Sequence, residues 1–388
     1  VKVCDLTQFY SPVSGGVRRY LERKVAYMRA QLPGSSHLLI VPGETTGVSG
    51  DEHARVYTIA SPLVSRTSRY RILLKLHLVE EILESERPDL IESGDPYQLA
   101  WKAVASGDGL GIPTVAFYHS HFPEALLRSV SKFSGRVAQS IAADAARRYV
   151  KALYNRFATT FVPGPALAAE LAAWGVEGIE CVDLGVDVAV FRPGDDAPTV
   201  RSRLGLPRDG RFLLYVGRLA PEKNVGVLFD AFRILARQGR GYRLVVVGDG
   251  TLRHALERLA LETGTVQWLR FCSEPHQLAE IYRAADLFVH PGIQETFGLV
   301  TLESQACGTP VVGIRGSYMD RIVFCDQIRW ADRNTPESLA HAIAAQFEGD
   351  LRQVGLDASQ KVRSQFSWER AFERIFDVYR KVIADARR

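Results

Sequence analysis

The 388 residues are too many for one ordinary domain and fit two of roughly 150–200 residues each. Hydrophobic residues at 46% and charged residues at 24% are those of a soluble globular protein with material for two cores. A net charge of +4 makes no global demand for nucleic acid, so no nucleic-acid partner is expected.

Along the chain, short apolar runs alternate with longer amphipathic ones. In the first half, residues 1–6, 37–41, 56–59, 89–91, 114–118 and 159–162 read as strands, with helices over 17–31 and 71–85. In the second half the strands are 212–216, 243–247, 266–271, 287–290 and 311–314. Helices over 225–238, 252–263, 274–284, 298–307 and 336–347 fill the gaps. Such alternation predicts parallel sheets covered by helices on both faces. A polar, Pro/Gly-rich stretch at 193–198 marks a linker, with the boundary near 188–195. The expected domains are 1–188 and 189–366, with a last helix over 367–388 lying beyond the second sheet. Open parallel sheets bind ligands at the carboxyl ends of their strands, so a cleft between the two domains is the expected site.

The cysteines, Cys4, Cys181, Cys272, Cys307 and Cys325, are scattered and form no Cys-x-x-Cys pair. This argues against a disulfide framework or zinc site and for a reducing cytosol. No signal peptide is evident, and no apolar stretch approaches the ~20 residues of a membrane span.

The segment richest in chemistry is 290–312. A strand ends at His290, a loop carries Glu295, and a helix begins near Gly298 and ends at Gly308. The backbone N–H groups of Phe297, Gly298 and Leu299 then form an anion site reinforced by the helix dipole. Glu295 before that site and Glu303 inside the helix suit a diphosphate with hydroxyls on both sides, which describes a nucleotide sugar. Taken singly, the two acids read as a helix-start charge and a solvated helix residue. In the second segment a strand runs into Gly217, followed by Arg218 and Lys223, two cations able to clamp a diphosphate. Exposed loop cations are the ordinary reading of such a pair. Gly15 and Gly16 open the first helix and can turn backbone N–H groups toward phosphate, although any strand-to-helix turn favours glycine. His119 and His121 follow a strand end. No acid or cysteine is near in sequence to complete a metal site, so a polar contact with a sugar is the better reading. The strand ends at Asp249 and at Arg270, Phe271 and Cys272 are candidates to line a base pocket, and Asp249 also reads as a turn former.

Together these residues resemble the retaining glycosyltransferase family 4. The resemblance covers essentially the whole chain. It rests on Glu295 and Glu303 with seven residues between them, on the run Ala306-Cys-Gly-Thr-Pro-Val-Val, on Gly217-Arg-Leu with Lys223, on Gly15-Gly16-Val17, and on Leu184-Gly-Val-Asp with Phe191 and Pro193. The resemblance implies the GT-B fold, an α/β architecture of two Rossmann-like domains whose parallel sheets face an interdomain cleft. It further implies that the first domain binds acceptor, the second binds donor, and the final helix crosses back onto the first.

By the same resemblance, Arg218 and Lys223 would hold the diphosphate of a UDP- or GDP-sugar, with Gly16 on the same phosphates. Glu303 would bind ribose. Glu295, Thr296 and the backbone of Phe297, Gly298 and Leu299 would hold the sugar. Arg270, Phe271 and Cys272 would line the base pocket, and His119 would touch the sugar near the reacting centre. No metal or other cofactor is implied. The chain departs from the family in having Gly316-Ser-Tyr-Met-Asp320 where Gly-Gly-x-x-Glu is frequent, and Pro291-Gly292 where Pro-Ser is usual.

Tyr118-His-Ser-His-Phe-Pro resembles the branch that glycosylates lipids, including mannosyl- and sulfoquinovosyl-glycolipid synthases. Residues 128–157 carry Arg128, Lys132, Arg136, Arg147, Arg148, Lys151 and Arg156 against Asp144, with Tyr149, Leu153, Tyr154 and Phe157 interleaved. A basic amphipathic helix can lie on an anionic membrane, and an ordinary solvated helix shows the same pattern. Expected partners are therefore a nucleotide sugar and an acceptor lipid, glycan or small molecule, with peripheral membrane contact through 128–157. The competing readings are a nicotinamide oxidoreductase, which lacks its three-glycine fingerprint here, a non-catalytic protein of the same fold, and a phosphorylase or epimerase.

Overall fold

The computed structural model describes the chain apart from residues 11–14, 65–69, 120–135, 208, 271, 273, 294, 296 and 318 and the side chains of 136–138. It divides into two units, Val1–Asp183 with Glu369–Arg388, and Leu184–Trp368. The change of unit falls at Leu184, ahead of the Pro/Gly-rich stretch. Val186 already pairs with Ser367, and Gly185 lies against the backbone of Ser367 and Trp368.

The first unit is built from β1 (Lys2–Leu6), α1 (Gly16–Gln31), β2 (Ser36–Gly43), β3 (Gly47–Gly50), β4 (Ala54–Ala60), α2 (Leu76–Glu86), β5 (Leu90–Ser93), α3 (Gln98–Leu110), β6 (Thr114–Phe117), α4 (Arg136–Tyr154), β7 (Thr159–Val162), α5 (Pro165–Ala173) and β8 (Ile179–Cys181). Its sheet runs β3-β4-β2-β1-β5-β6-β7-β8, and only β3 pairs antiparallel. The strands β2, β5, β6 and β7 are buried along nearly their whole length, as in a sheet covered on both faces. One core cluster joins Leu6, Ile40 and Ile91 of the sheet to Leu83 of α2 and Leu99 of α3. The helix expected over 71–85 starts only at Leu76, because Arg71 bridges Leu63 and donates to the Ser61 carbonyl.

The second unit holds α6 (Ala197–Arg203), β9 (Arg211–Val216), α7 (Val225–Arg237), β10 (Tyr242–Val247), α8 (Arg253–Thr263), β11 (Val266–Leu269), α9 (Pro275–Ala284), β12 (Leu287–His290), α10 (Leu299–Ala306), β13 (Val311–Gly313), α11 (Pro336–Gln346) and α12 (Leu351–Gln365). Its strands are all parallel, in the order β11-β10-β9-β12-β13. The last helix, α13 (Trp368–Ala386), returns the chain to the first unit.

Strand order reverses at β1, between β2 and β5, and at β9, between β10 and β12. Loops leaving neighbouring strands at such a point diverge and open a crevice at the carboxyl edge of the sheet.

Candidate active site

In the second unit that crevice lies between the loops following β9 and β12. Gly217 ends β9, and Gly248 ends β10 at φ +140°. A Cβ on Gly248 would stand 2.0 Å from the Gly217 carbonyl, so the two loops approach at a distance only glycine permits. Beyond Gly217, a single 3-10 turn (Pro221–Lys223) is ended by Asn224 at φ +56°. The Asn224 amide donates to the Pro291 carbonyl at 2.8 Å and to Asn334 Oδ1 at 2.7 Å, stitching the β9 loop to the β12 loop.

That stitch brings Lys223 and Glu295 together across 72 residues, Nζ to Oε2 at 2.6 Å. His290 Nε2 stands 3.6 Å from the same oxygen. Burial alone pushes the Glu295 carboxyl up, but the Lys223 charge and His290 outweigh it and hold it well below the usual carboxylate range. Glu295 is therefore a fixed anion at neutral pH. His290 is buried, and its Nδ1 has no hydrogen-bond partner among the described residues. Sequence reasoning had used His290 only to mark a strand end. A histidine closing an apolar strand ahead of Pro291-Gly292 was the available signal.

Arg218 pairs with Glu222 at 2.9 Å on the exposed rim of the loop. Such exposed pairs contribute little, so the guanidinium is readily re-partnered by a phosphate. Asp249 accepts from the Gly250 amide, and its own carbonyl accepts from Leu219 N–H, which matches the turn-former reading. Exposed Arg270 covers the Trp268 ring at 5.1 Å. The Trp268 indole donates to the Gly248 carbonyl, so these residues form one surface at the ends of β10 and β11. Cys272 lies 3.5 Å from the Glu274 carbonyl, while Phe271 and Thr296 fall outside the described residues.

Phe297 is buried and Gly298 caps α10 at φ +89°, with Leu299 as first helical residue. The Thr301 amide and hydroxyl both bond the Gly298 carbonyl. Glu303 is buried, not a solvated helix residue, and accepts from the Tyr282 hydroxyl at 3.2 Å. Asp320, at the departure from the frequent Gly-Gly-x-x-Glu, accepts from the Gly316 and Ser317 amides.

In the first unit, Gly15 and Gly16 begin α1, the Gly15 carbonyl accepting from Arg19. The rest of that turn lies outside the described residues. His119 stands past the end of β6, its ring stacked on Phe117 with centroids 4.2 Å apart, beside Gly94 and Thr7 at the ends of β5 and β1. His121, Arg128 and Lys132 are not described, nor is the Arg136 side chain. Of the aromatic and apolar residues on the basic stretch, Leu153, Tyr154 and Phe157 are buried core, which removes them from any lipid-facing surface. Among the described residues no helix is long and apolar enough to cross a membrane, and no group of His, Cys, Asp and Glu is arranged to hold a metal.

Two α/β units with largely parallel sheets, each with a strand-order reversal, are those of the GT-B fold. The chain belongs to glycosyltransferase family 4. The group 1 glycosyl transferase model matches residues 196–359, and the family 4 glycosyltransferase model matches residues 14–190. Among similar proteins, a GDP-mannose-dependent alpha-(1-6)-phosphatidylinositol dimannoside mannosyltransferase of Mycobacterium tuberculosis is 33% identical, over 96% of this chain and 94% of its own. A GDP-mannose-dependent alpha-mannosyltransferase of Corynebacterium glutamicum is 30% identical over 83% of this chain and 74% of its own. Sucrose-phosphate synthase from Thermosynechococcus elongatus shares the fold, with a TM-score of 0.78 at 22% identity and 99% coverage of both chains. Family membership leaves the oxidoreductase alternative without support.

Proposed function

We propose that the chain transfers mannose from GDP-mannose to a hydroxyl of a glycolipid acceptor, with retention and without a metal. The observation that carries the reading is the Lys223–Glu295 pair at 2.6 Å beside buried His290 in the crevice between β9 and β12. GDP-mannose and a mannosylated lipid are named for the relative that is 33% identical over nearly the whole chain.

Lys223 has three N–H donors, so it can bond Glu295 and a diphosphate oxygen together. With Arg218 it balances the charge that develops as the diphosphate leaves, a task that otherwise falls to a metal. Glu295 and the start of α10 hold the mannose, and Glu303, fixed by Tyr282, binds ribose. Arg270 and Cys272, with Phe271 between them, line the base pocket. Gly15 and Gly16 contact the same phosphates, and His119 touches the sugar near the reacting carbon. On α4 and just beyond it, Arg147, Arg148, Lys151 and Arg156 are exposed, as is Ile141 at 66%. That face offers a peripheral contact with anionic lipid.

The test offers the full chain GDP-mannose or UDP-glucose with vesicles containing phosphatidylinositol mannosides, with and without EDTA. Expected are transfer from GDP-mannose, an α-linked product by NMR, and no loss with chelator. Transfer from UDP-glucose alone refutes the donor, a β-linkage refutes retention, and loss with EDTA refutes metal independence.

A further inference from the structure

His290 ends β12, a strand whose other residues, Leu287, Phe288 and Val289, are buried hydrocarbon. The imidazole is buried with them, and the residue is 3% exposed. Gly292 follows two residues later. A Cβ on it would stand 2.8 Å from Cε1 of that ring, 3.4 Å from Nδ1 and 3.8 Å from Nε2. Gly292 is not in the left-handed region, so its backbone makes no demand for glycine. The His290 ring does, because a Cβ at 2.8 Å would push it aside. The departure from Pro-Ser to Pro291-Gly292 thus leaves the ring its place.

The two ring nitrogens differ. Nδ1 is buried and has no partner among the described residues. A proton there would be an orphaned buried donor, and a bare lone pair is the milder loss. The proton therefore belongs on Nε2, which faces Glu295 Oε2 at 3.6 Å. That is longer than a full hydrogen bond, and contacts of this kind tighten as substrate engages. Lys223 Nζ stands 2.6 Å from the same oxygen. Glu295 Oε1 has no partner among the described residues and stays accessible. Two donors thus converge on one carboxylate oxygen and leave the other open to the crevice. The other acid near His290 is Asp320, which accepts from the Gly316 and Ser317 amides.

We propose that His290 is a positioning residue of the donor site: through Nε2–H it fixes Glu295 Oε2 beside Lys223, so that Oε1 meets a hydroxyl of the transferred sugar, and Gly292 is glycine to admit the ring. The proposal rests on the reading that Glu295 holds that sugar. Lys223 does not suffice for this task. An ammonium on a flexible stem attracts a carboxylate without setting its plane. A planar ring locked by packing supplies the missing direction.

The test combines ring-nitrogen NMR of the histidine-labelled full chain, assigned with His290→Gln, with steady-state mannosyl transfer and GDP affinity. The His290 signals should report the proton on Nε2, and a proton on Nδ1 overturns the proposal. His290→Phe keeps the ring without a donor, and His290→Asn places an amide only where Nδ1 stood. Both should lose kcat by about 10- to 100-fold with GDP affinity unchanged. His290→Gln, whose amide reaches the Nε2 position, should recover most of that loss. Gly292→Ala should cost about tenfold or more in the parent chain, and little once His290→Asn has removed the ring. Unchanged kcat in the Phe and Asn variants, equal loss in all three, or a GDP affinity that falls with kcat refutes the positioning role. Losses of Gly292→Ala and His290→Asn that simply multiply refute the pairing of the two positions. A Glu295→Gln enzyme with unchanged kcat/KM refutes instead the reading that Glu295 holds the sugar.

Discussion

Glu295 is a partly buried carboxylate whose charge is set by two neighbours on different segments. Its depressed ionisation means that the pair with Lys223 is intact above the ordinary carboxylate range and is lost only as pH falls through a much lower value. Any acid limb in activity above about pH 4 must therefore come from another group. Lys223→Ala should lower kcat/KM by about 10²–10³-fold, the usual loss on removing one preorganised stabiliser of leaving charge. Its melting temperature should stay within a few degrees, since Lys223 is partly exposed. Steady-state kinetics and a thermal melt decide, and an active variant sinks the site assignment.

Asp95, at the end of β5, has the opposite sign. Burial raises it to about 6, although it accepts from the Gln8 and Tyr97 amides. The folded chain therefore holds this proton more tightly than the unfolded one. The stabilisation is full below about pH 4 and fades as pH rises to about 6. Asp95→Asn should remove that slope from melting temperatures measured between pH 4 and 7. Glu92, raised to about 7, adds a slope of its own, so it is a slope unchanged from that of the parent chain that assigns the effect to another group.

Glu295, Lys223 and Glu303 were legible because their spacing to Gly217 and Gly298 is itself a signal. Lys24, Asp5 and Glu92 were not. Reading by period assigns a lone lysine or acid to solvent, and only the fold places three such residues together inside.

At the scale of elements, the sequence was most legible where an apolar run ended in a glycine or histidine turn, as at β9 and β12. It was least legible where local propensity opposed the element. α3 includes Ser106, Gly107 and Gly109, poor helix formers, and holds because Leu99, Ala100, Ala103 and Val104 are buried. The edge strand β3 is exposed on every residue and exists only by pairing with β4.

α12, also not foreseen, has Gly355 against the end of α10. A Cβ there would stand 1.9 Å from the Gly308 carbonyl, and Ser359 donates to the Ala306 carbonyl nearby. Two effects compete in Gly355→Ala. Helix propensity gains about 1 kcal/mol. Forcing α12 off α10 costs about 1–3 kcal/mol, and contact at 1.9 Å with backbone puts it at the upper end. Net destabilisation in urea is the expected result. A stabilised variant would mean that the helices separate freely.

At the scale of the whole molecule, the chain is not laid down unit by unit. It finishes the second unit and then returns α13 to the first. The return is substantial: Phe372, Ile375, Phe376, Tyr379 and Ile383 are all buried, and the Tyr379 hydroxyl joins Lys24 to Glu92. Burying five such side chains is worth on the order of 10 kcal/mol, an upper figure because unfolded chains already bury some surface. That rivals the total stability of a domain, about 5–15 kcal/mol. A chain ending at residue 368 should therefore lose the first unit as a cooperative fold. The second unit keeps every strand of its sheet within Leu184–Trp368 and should survive. Hydrogen exchange separates the two outcomes: protection should vanish from β1 and β5 and remain in β9 and β12. Retained protection in β1 would show that the first sheet carries its own stability, and that α13 only covers it.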